Sequence, residues 1–325
     1  MTAARFPAVP AQRGHYESFY LRAADPAGGR SAWIRHTVHK RPGEAATGAL
    51  WCTFFDAAAP GPRAVKQSLS APAAPADDWL AVGDSRFGPG GAHGRAEAQG
   101  RSAAWELRFD GPGGEPLHHL PRAWMYRAAL PRTKVESLLP QTRISGWVEL
   151  DGERVAIDGW RGMVGHNWGS EHAERWIWLH GVGFDEDPEA WIDVALGRVR
   201  LGPLVTPWIA NGAVCFSGER TRLGGLTRRP RVSERPDGGE LTLPGAGLDV
   251  SIRIAAAPAQ LAGWIYADPG GGEHHSTNCS IAGLELTVGR AGRAPLTLNT
   301  AHGGAWELGA REPAPGVVVQ PYPDP

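Results

Sequence analysis

Residues 160–184 read Trp-Arg-Gly-Met-Val-Gly-His-Asn-Trp-Gly-Ser-Glu-His-Ala-Glu-Arg-Trp-Ile-Trp-Leu-His-Gly-Val-Gly-Phe. From 175 onward the pattern has a period of two. Trp176, Trp178, His180, Val182 and Phe184 fall on one face and Ile177 and Leu179 on the other, which predicts a strand. Both faces are rich in apolar groups, so a packed layer is expected on each side. Asp185-Glu186-Asp187-Pro188 then turns the chain, and 189–200 returns with Trp191, Asp193, Ala195 and Gly197 alternating. Upstream, His166-Asn167-Trp168 stands between Gly165 and Gly169. With Gly162, these glycines are expected to let the backbone turn sharply beside the histidine.

The rest of the chain repeats the same grammar. Apolar runs at 15–23, 31–39, 48–56 and 64–70 are spaced by turn residues. Hairpins are predicted for 92–99 with 103–110 and for 143–150 with 154–160, the latter turning at Asp151-Gly152. Prolines at 116, 121, 131 and 140 predict an irregular stretch. Further strands are expected near 211–217, 240–243, 248–255, 261–267, 276–288 and 304–311. No segment sustains a 3.6-residue period, and the 44 glycines and 28 prolines are spread as punctuation. The expectation is an all-β chain of two antiparallel domains, 1–172 and 173–325, with few short helices. The two would meet around 160–190.

Composition narrows the function. Basic and acidic residues number 33 and 34, interspersed, with a formal charge of −1, so no nucleic-acid footprint is visible. Cys52, Cys215 and Cys279 are far apart and odd in number, which predicts neither a disulfide framework nor a zinc knuckle. The N-terminus lacks an apolar signal core and no run is long enough to span a bilayer, so a cytoplasmic protein without a transmembrane segment is expected. No glycine-rich phosphate loop and no Gly-x-Ser-x-Gly elbow occurs.

What the 160–184 region offers is acid–base and aromatic chemistry. A histidine beside an asparagine can be held in one tautomer to orient water or an acid. Asp193 lies two residues from Trp191 on the same strand face. Removed from water beside an indole, its carboxyl would be pushed up and stay protonated. Tyr266-Ala267-Asp268 repeats the aromatic-x-Asp pattern but precedes Pro269-Gly270-Gly271, which reads as a turn. The pairs His118-His119 and His274-His275 point to opposite faces of a strand and do not chelate by themselves, and no metal site is expected. Tyr16, Trp33, Trp51, Trp105, Trp124 and Trp147 are expected mostly in the core.

At this point the motifs resemble a family. Gly165-His166-Asn167-Trp168-Gly169, Trp176-Ile177-Trp178-Leu179-His180 and the aromatic-x-Asp pair resemble the carotenoid 1,2-hydratase group. That is the hydroxyneurosporene-synthase-like family of tandem lipocalin-like domains, which includes fungal cyclases. Glu17-Ser18-Phe19-Tyr20-Leu21, Trp33-Ile34-Arg35 and Asn278-Cys279-Ser280 extend the likeness over most of the chain. The resemblance implies two lipocalin-like antiparallel β-barrel or sandwich domains. It also implies a catalytic set of His166, Trp168 and Asp193, with Asp193 as proton donor; Trp191 stands where the family motif has Tyr.

The expected function is therefore a cofactor-independent acid catalyst, a hydratase, cyclase or isomerase, acting on an apolar isoprenoid or polyketide-like molecule at the domain junction. Trp176, Trp178, Trp191, His180 and Asn167 would contact the substrate, with indoles stabilising a carbocation. The alternative is a non-catalytic carrier of a hydrophobic metabolite. A carbohydrate-active sandwich using Glu171 and Glu174 is a third reading.

Overall fold

A computed structural model describes residues 3–110 and 115–323. The regular structure between these limits is almost entirely strand. The first sheet contains β1 (His15–Asp25), β2 (Arg30–Lys40), β3 (Thr47–Asp56), β4 (Arg63–Ser70), β5 (Leu80–Val82), β6 (Ser85–Gly88), β7 (Gly91–Ala98), β8 (Arg101–Asp110), β9 (Leu117–His118), β10 (Thr133–Leu150) and β11 (Glu153–Gly169). After these come β12 (Arg175–Val182), β13 (Trp191–Arg198), β14 (Arg200–Leu201), β15 (Leu204–Val205), β16 (Ile209–Phe216), β17 (Glu219–Gly224) and β18 (Arg231–Arg235). The chain ends in β19 (Gly238–Pro244), β20 (Asp249–Ala255), β21 (Ala262–Ala267), β22 (Glu273–Gly289) and β23 (Leu296–Ala310). Three short 3-10 helices, Phe6–Ala8, Ala123–Tyr126 and Pro258–Gln260, complete it.

Every named pairing is antiparallel. The first sheet runs β4-β3-β2-β1-β11-β10-β8-β7-β6-β5, with β9 on β10; the second runs β17-β16-β13-β12-β23-β22-β20-β19-β18, with β21 on β22. The small β14–β15 hairpin stands apart. Each sheet curls on itself. Gln67 of β4 accepts from the Glu97 backbone of β7 (3.0 Å), and Leu223 of β17 bridges to Gly245 after β19. The all-β, two-sheet architecture read from the sequence is the one found, and it is consistent with a tandem lipocalin-like fold. No helix among the described residues is long and apolar enough to cross a membrane.

Alternation along β1 organises the centre of the molecule. Phe19, Leu21 and Ala23 point into the first sheet's own core with Ile34, Phe54, Phe87 and Trp105. Tyr20 and Arg22 point the other way, toward the second sheet: Tyr20 clusters with Met163, Trp178 and Ala305. The Arg22 guanidinium donates to the carbonyls of Ser280 (2.8 Å) and Gly303 (3.0 Å). β1 is therefore buried on both faces, the situation that calls for apolar groups throughout a strand. Trp33 and Trp51 cross the same seam to Trp264, with ring centroids 6.4 and 4.8 Å apart.

Several sequence expectations need correction. The hairpin at 143–160 is far longer, and its strands carry register shifts around Leu139 and Gly146. Such bulges let Pro140 sit inside β10 without a missing ladder bond. The stretch 116–140 is thus only partly irregular. Gly162, Gly165 and Gly169 lie within β11 and not at a turn. They serve close approach: a Cβ at Gly165 would stand 2.2 Å from the Tyr20 ring. The short strands β5, β6, β17 and β18 were not anticipated, being too brief or too polar to show a pattern.

Candidate functional site

Between the sheets lies a cavity of about 430 Å³, within the range for a small organic ligand. Tyr20, Trp33 and Arg35 form one wall and Trp176, Trp178 and Ile177 of β12 another; Asn167, His119, His172, Asn211, Tyr266 and Glu307 supply the polar groups. Glycine makes these walls flat. The Trp176 indole lies so close over β23 that a Cβ at Gly309 would meet it at 2.1 Å, and its Nε1 donates to Glu307 (2.8 Å). Arg35 sits over the Trp33, Trp51 and Tyr266 rings at 5.0, 5.0 and 4.7 Å. The mouth carries Leu120, Pro121, Trp124, Leu130, Leu201 and Leu226 from the 119–133 segment and neighbouring loops; Trp124 is 63% exposed.

The predicted residues divide between this cavity and elsewhere. Asn167, Trp176 and Trp178 line it. His166 and Trp168 do not, because the two-residue period of β11 sends them to the opposite face from Asn167. His166 is fully buried, with Nε2 2.7 Å from Glu17 and Nδ1 3.4 Å from Glu136. It is stacked on Phe19 (4.1 Å) and Trp168 (4.4 Å). Glu17 also accepts from the Arg5 and Phe6 backbones. Burial alone would raise its carboxyl, but hydrogen bonds from His15 and His166 outweigh that and hold it at about 2. Trp168 faces a separate open groove with Lys134, Glu136, His15 and His118.

His180 does not face the cavity either. Its Nδ1 accepts from Arg22 (3.0 Å) and its Nε2 donates to Pro140 O (3.2 Å). Burial first, then Arg22, brings the ring down to about 4, so it is neutral. Trp191 packs with Ala24, Leu117, Val182 and Ala213 away from the cavity.

Asp193 lies directly behind the wall. It accepts from the Ser137 hydroxyl through a short bond and from Trp178 Nε1 (3.2 Å), with His119 Nε2 at 3.7 Å. The surroundings of Asp193 favour its ionised form over the protonated one expected from the sequence. Burial raises its carboxyl, but His119, His180 and the Ser137 hydroxyl together outweigh burial and pull it below the ordinary value. The expected meeting of His166 and Asp193 in one chamber does not occur. Glu171 and Glu174, the suggested carboxylate pair, are tied into ion pairs with Arg132, Arg200 and Arg311 at the surface.

Two groups were missed or underweighted. His119 lines the cavity, with Nδ1 3.1 Å from Asn211 O and Nε2 3.1 Å from Ser137 Oγ. Sequence gives no hint of this, since His119 and Ser137 converge with β13 and β16 only in three dimensions. On the far wall, His172 Nδ1 is 2.8 Å from Asp268, whose other oxygen lies 3.3 Å from His274 Nδ1. Burial raises the Asp268 carboxyl, but His172 and His274 hold it well below the usual carboxylate range. Burial lowers His172, with Asp268 opposing. The aromatic-x-Asp repeat at Tyr266 was the available signal.

No protein-family model matches the sequence. Two uncharacterized proteins of Mycobacterium tuberculosis, Rv0493c and MT0513, are each 29% identical to this chain over 329 residues, spanning 95% of it and 92% of the relative. An AttH-like protein from Nitrosomonas europaea superimposes with a TM-score of 0.54 at 16% identity, covering 94% of this chain and 96% of that one. Kievitone hydratase from Nectria haematococca gives 0.48 at 10% identity, covering 96% of both. At 16% identity the likeness to the first solved structure bears on the fold alone.

Proposed function

We propose that the chain binds an apolar small molecule, isoprenoid or polyketide-like in character, in the cavity between its two sheets and acts on it by proton transfer. The reaction class is hydration, cyclisation or isomerisation. The two halves, 1–172 and 173–325, are read as domains whose seam forms the pocket. The observation that carries this reading is the aromatic cavity with the His119–Ser137–Asp193 chain in its wall.

The roles follow from hydrogen-bond counting. The Asn211 carbonyl can only accept, so His119 Nδ1 carries a proton. With the Ser137 hydroxyl donating to Asp193, Nε2 donates to Ser137 in turn. This pairs an imidazolium with the Asp193 carboxylate across the hydroxyl. His119 is then the acid, its Nε2–H turning from Ser137 Oγ to reach the substrate, and Asp193, expected from the sequence as the donor, is the group that holds the charge. The indoles of Trp33, Trp176 and Trp178 favour a developing cation by about 0.5–2 kcal/mol each.

Mass spectrometry of apolar material extracted from the purified protein identifies the ligand. With that compound, His119→Gln and Asp193→Asn are expected to lower turnover by about 100- to 10,000-fold, while quenching of tryptophan fluorescence still reports binding. Full turnover in both variants refutes the assignment. A carrier function is the second reading, favoured by the fact that both His119 nitrogens are already hydrogen-bonded within the protein; it predicts saturable quenching and no product.

A further inference from the structure

One cluster of ligand-type side chains takes no part in the proton transfer just described. His172, Asp268 and His274 present donor atoms that all lie within 4.8 Å of one another. We propose that these three residues bind one divalent transition-metal ion of the zinc type.

The donors come from three places that the fold brings together. His172 belongs to the crossing between β11 and β12, Asp268 to the turn after β21, and His274 to β22, where Tyr266 pairs with His274 across the ladder. His172 Nδ1 stands 2.8 Å from Asp268 Oδ1 and His274 Nδ1 3.3 Å from Oδ2. An ion with bonds of about 2.0–2.2 Å in tetrahedral geometry requires donors about 3.3–3.6 Å apart, so the donors, now within 4.8 Å of one another, would close by roughly an ångström at the widest pair. Two imidazoles and a carboxylate suit zinc and its neighbours in preference to magnesium or calcium.

A second observation points to the same place. His274 is fully buried, its Nε2 makes no hydrogen bond and its Nδ1 has only the 3.3 Å contact to Asp268, short of hydrogen-bond geometry. A buried polar group left in that state costs about 1–3 kcal/mol, and a coordinated ion removes the deficit at Nδ1. The supporting contacts are those a metal site needs. The His172 ring is stacked on Tyr16 at 4.0 Å and near Trp176 at 5.6 Å, which fixes its orientation. The His172 backbone N–H donates to Asp268 Oδ1 (2.8 Å) and steadies the carboxylate.

Three protein ligands leave a fourth position open. Of the three, His172 alone lines the cavity, so the proposal includes an open position reached from the cavity past His172. The ligand class becomes an apolar compound with an oxygen donor, a hydroxyl or carbonyl, at one end. Adjacent His274 and His275 cannot chelate together, as their alternation predicts; His274 is recruited instead by partners distant in sequence. The proposal stands independently of the proton-transfer reading, since binding is measured without turnover.

The full chain, stripped with a chelator, is titrated with Zn2+ by calorimetry and with Co2+ by visible absorption. One equivalent per chain is expected, with the strong d–d absorption of a four-coordinate cobalt site. Asp268→Asn and His274→Gln should each weaken Zn2+ binding by more than the roughly 10–100-fold that a lost supporting hydrogen bond produces. His118→Ala, remote from the cluster, should leave it unchanged. Far-UV circular dichroism checks that each variant is folded, and the near-isosteric Asp268→Asn keeps the test open if His274→Gln is not. No uptake by the wild-type chain, wild-type affinity in the folded variants, or loss of binding in His118→Ala overturns the proposal.

Discussion

Gly165 stands where any side chain would meet the Tyr20 ring, and its φ is not the reason it is glycine. The contact is steric: the hypothetical Cβ would lie 2.2 Å from Tyr20 Cζ and 2.5 Å from its hydroxyl. Tyr20 forms part of the cavity wall, and burial holds its phenol well above the ordinary value, hence neutral. Gly165→Ala is expected to push this ring into the cavity and to destabilise the protein by about 1–3 kcal/mol, the usual effect of overpacking. Urea unfolding measures the loss. Fluorescence titration with the extracted ligand should show weaker binding, and unchanged affinity would mean that Tyr20 does not shape the pocket.

Two strands each bury a neutral imidazole, and this gives the elements a shared pH response. His36 of β2 packs edge-on against Phe87 and Trp105 at 5.3 and 5.6 Å, and burial brings it down to about 3. His180 of β12 stands at about 4. Both folded values lie below the ordinary 6.5, so below pH 6.5 the unfolded chain takes up protons that the folded chain refuses. Stability therefore falls as pH drops from about 6.5 toward 4, by about 1.6 kcal/mol per histidine between pH 6.5 and 5. Neither ring nitrogen of His36 is hydrogen-bonded. His36→Leu should accordingly raise stability at pH 7 by about 1–2 kcal/mol and reduce the slope of stability against pH below 6.5. An unchanged slope in urea unfolding at several pH values would contradict the assignment. His180, held between Arg22 and Pro140, keeps its share of the slope in that variant.

At the scale of the molecule, the two sheets share one aromatic seam. Trp264 is fully buried and touches Trp33 and Trp51 of the first sheet as well as Tyr322 near the C-terminal end. Trp264→Ala leaves a cavity at this junction and should lower stability by about 3–5 kcal/mol. Because the seam belongs to both sheets, unfolding followed by circular dichroism and by tryptophan fluorescence should remain a single coincident transition shifted to lower denaturant. Two separated transitions would show that the sheets unfold independently. The Arg22 contacts to Ser280 and Gly303 and the His180 bond to Pro140 cross the same boundary.

Local alternation was enough to read the all-β class, most strands and the return of β13 on β12, because a period of two and turn residues act over a few positions. Of the residues expected to contact the substrate, Asn167, Trp176 and Trp178 line the cavity while His180 and Trp191 do not. What alternation along one strand cannot decide is which layer each face meets. His166 and Trp168 carry the recognisable motif, yet the pleat of β11 turns both away from the cavity, His166 to the Glu17 and Glu136 carboxylates and Trp168 to a separate groove, one residue out of step with Asn167. The protonation of Asp193 depended on His119 and Ser137, residues 74 and 56 positions away that only sheet packing brings within reach. The same holds for His172, Asp268 and His274, whose proximity arises where a strand crossing, a turn and a ladder converge.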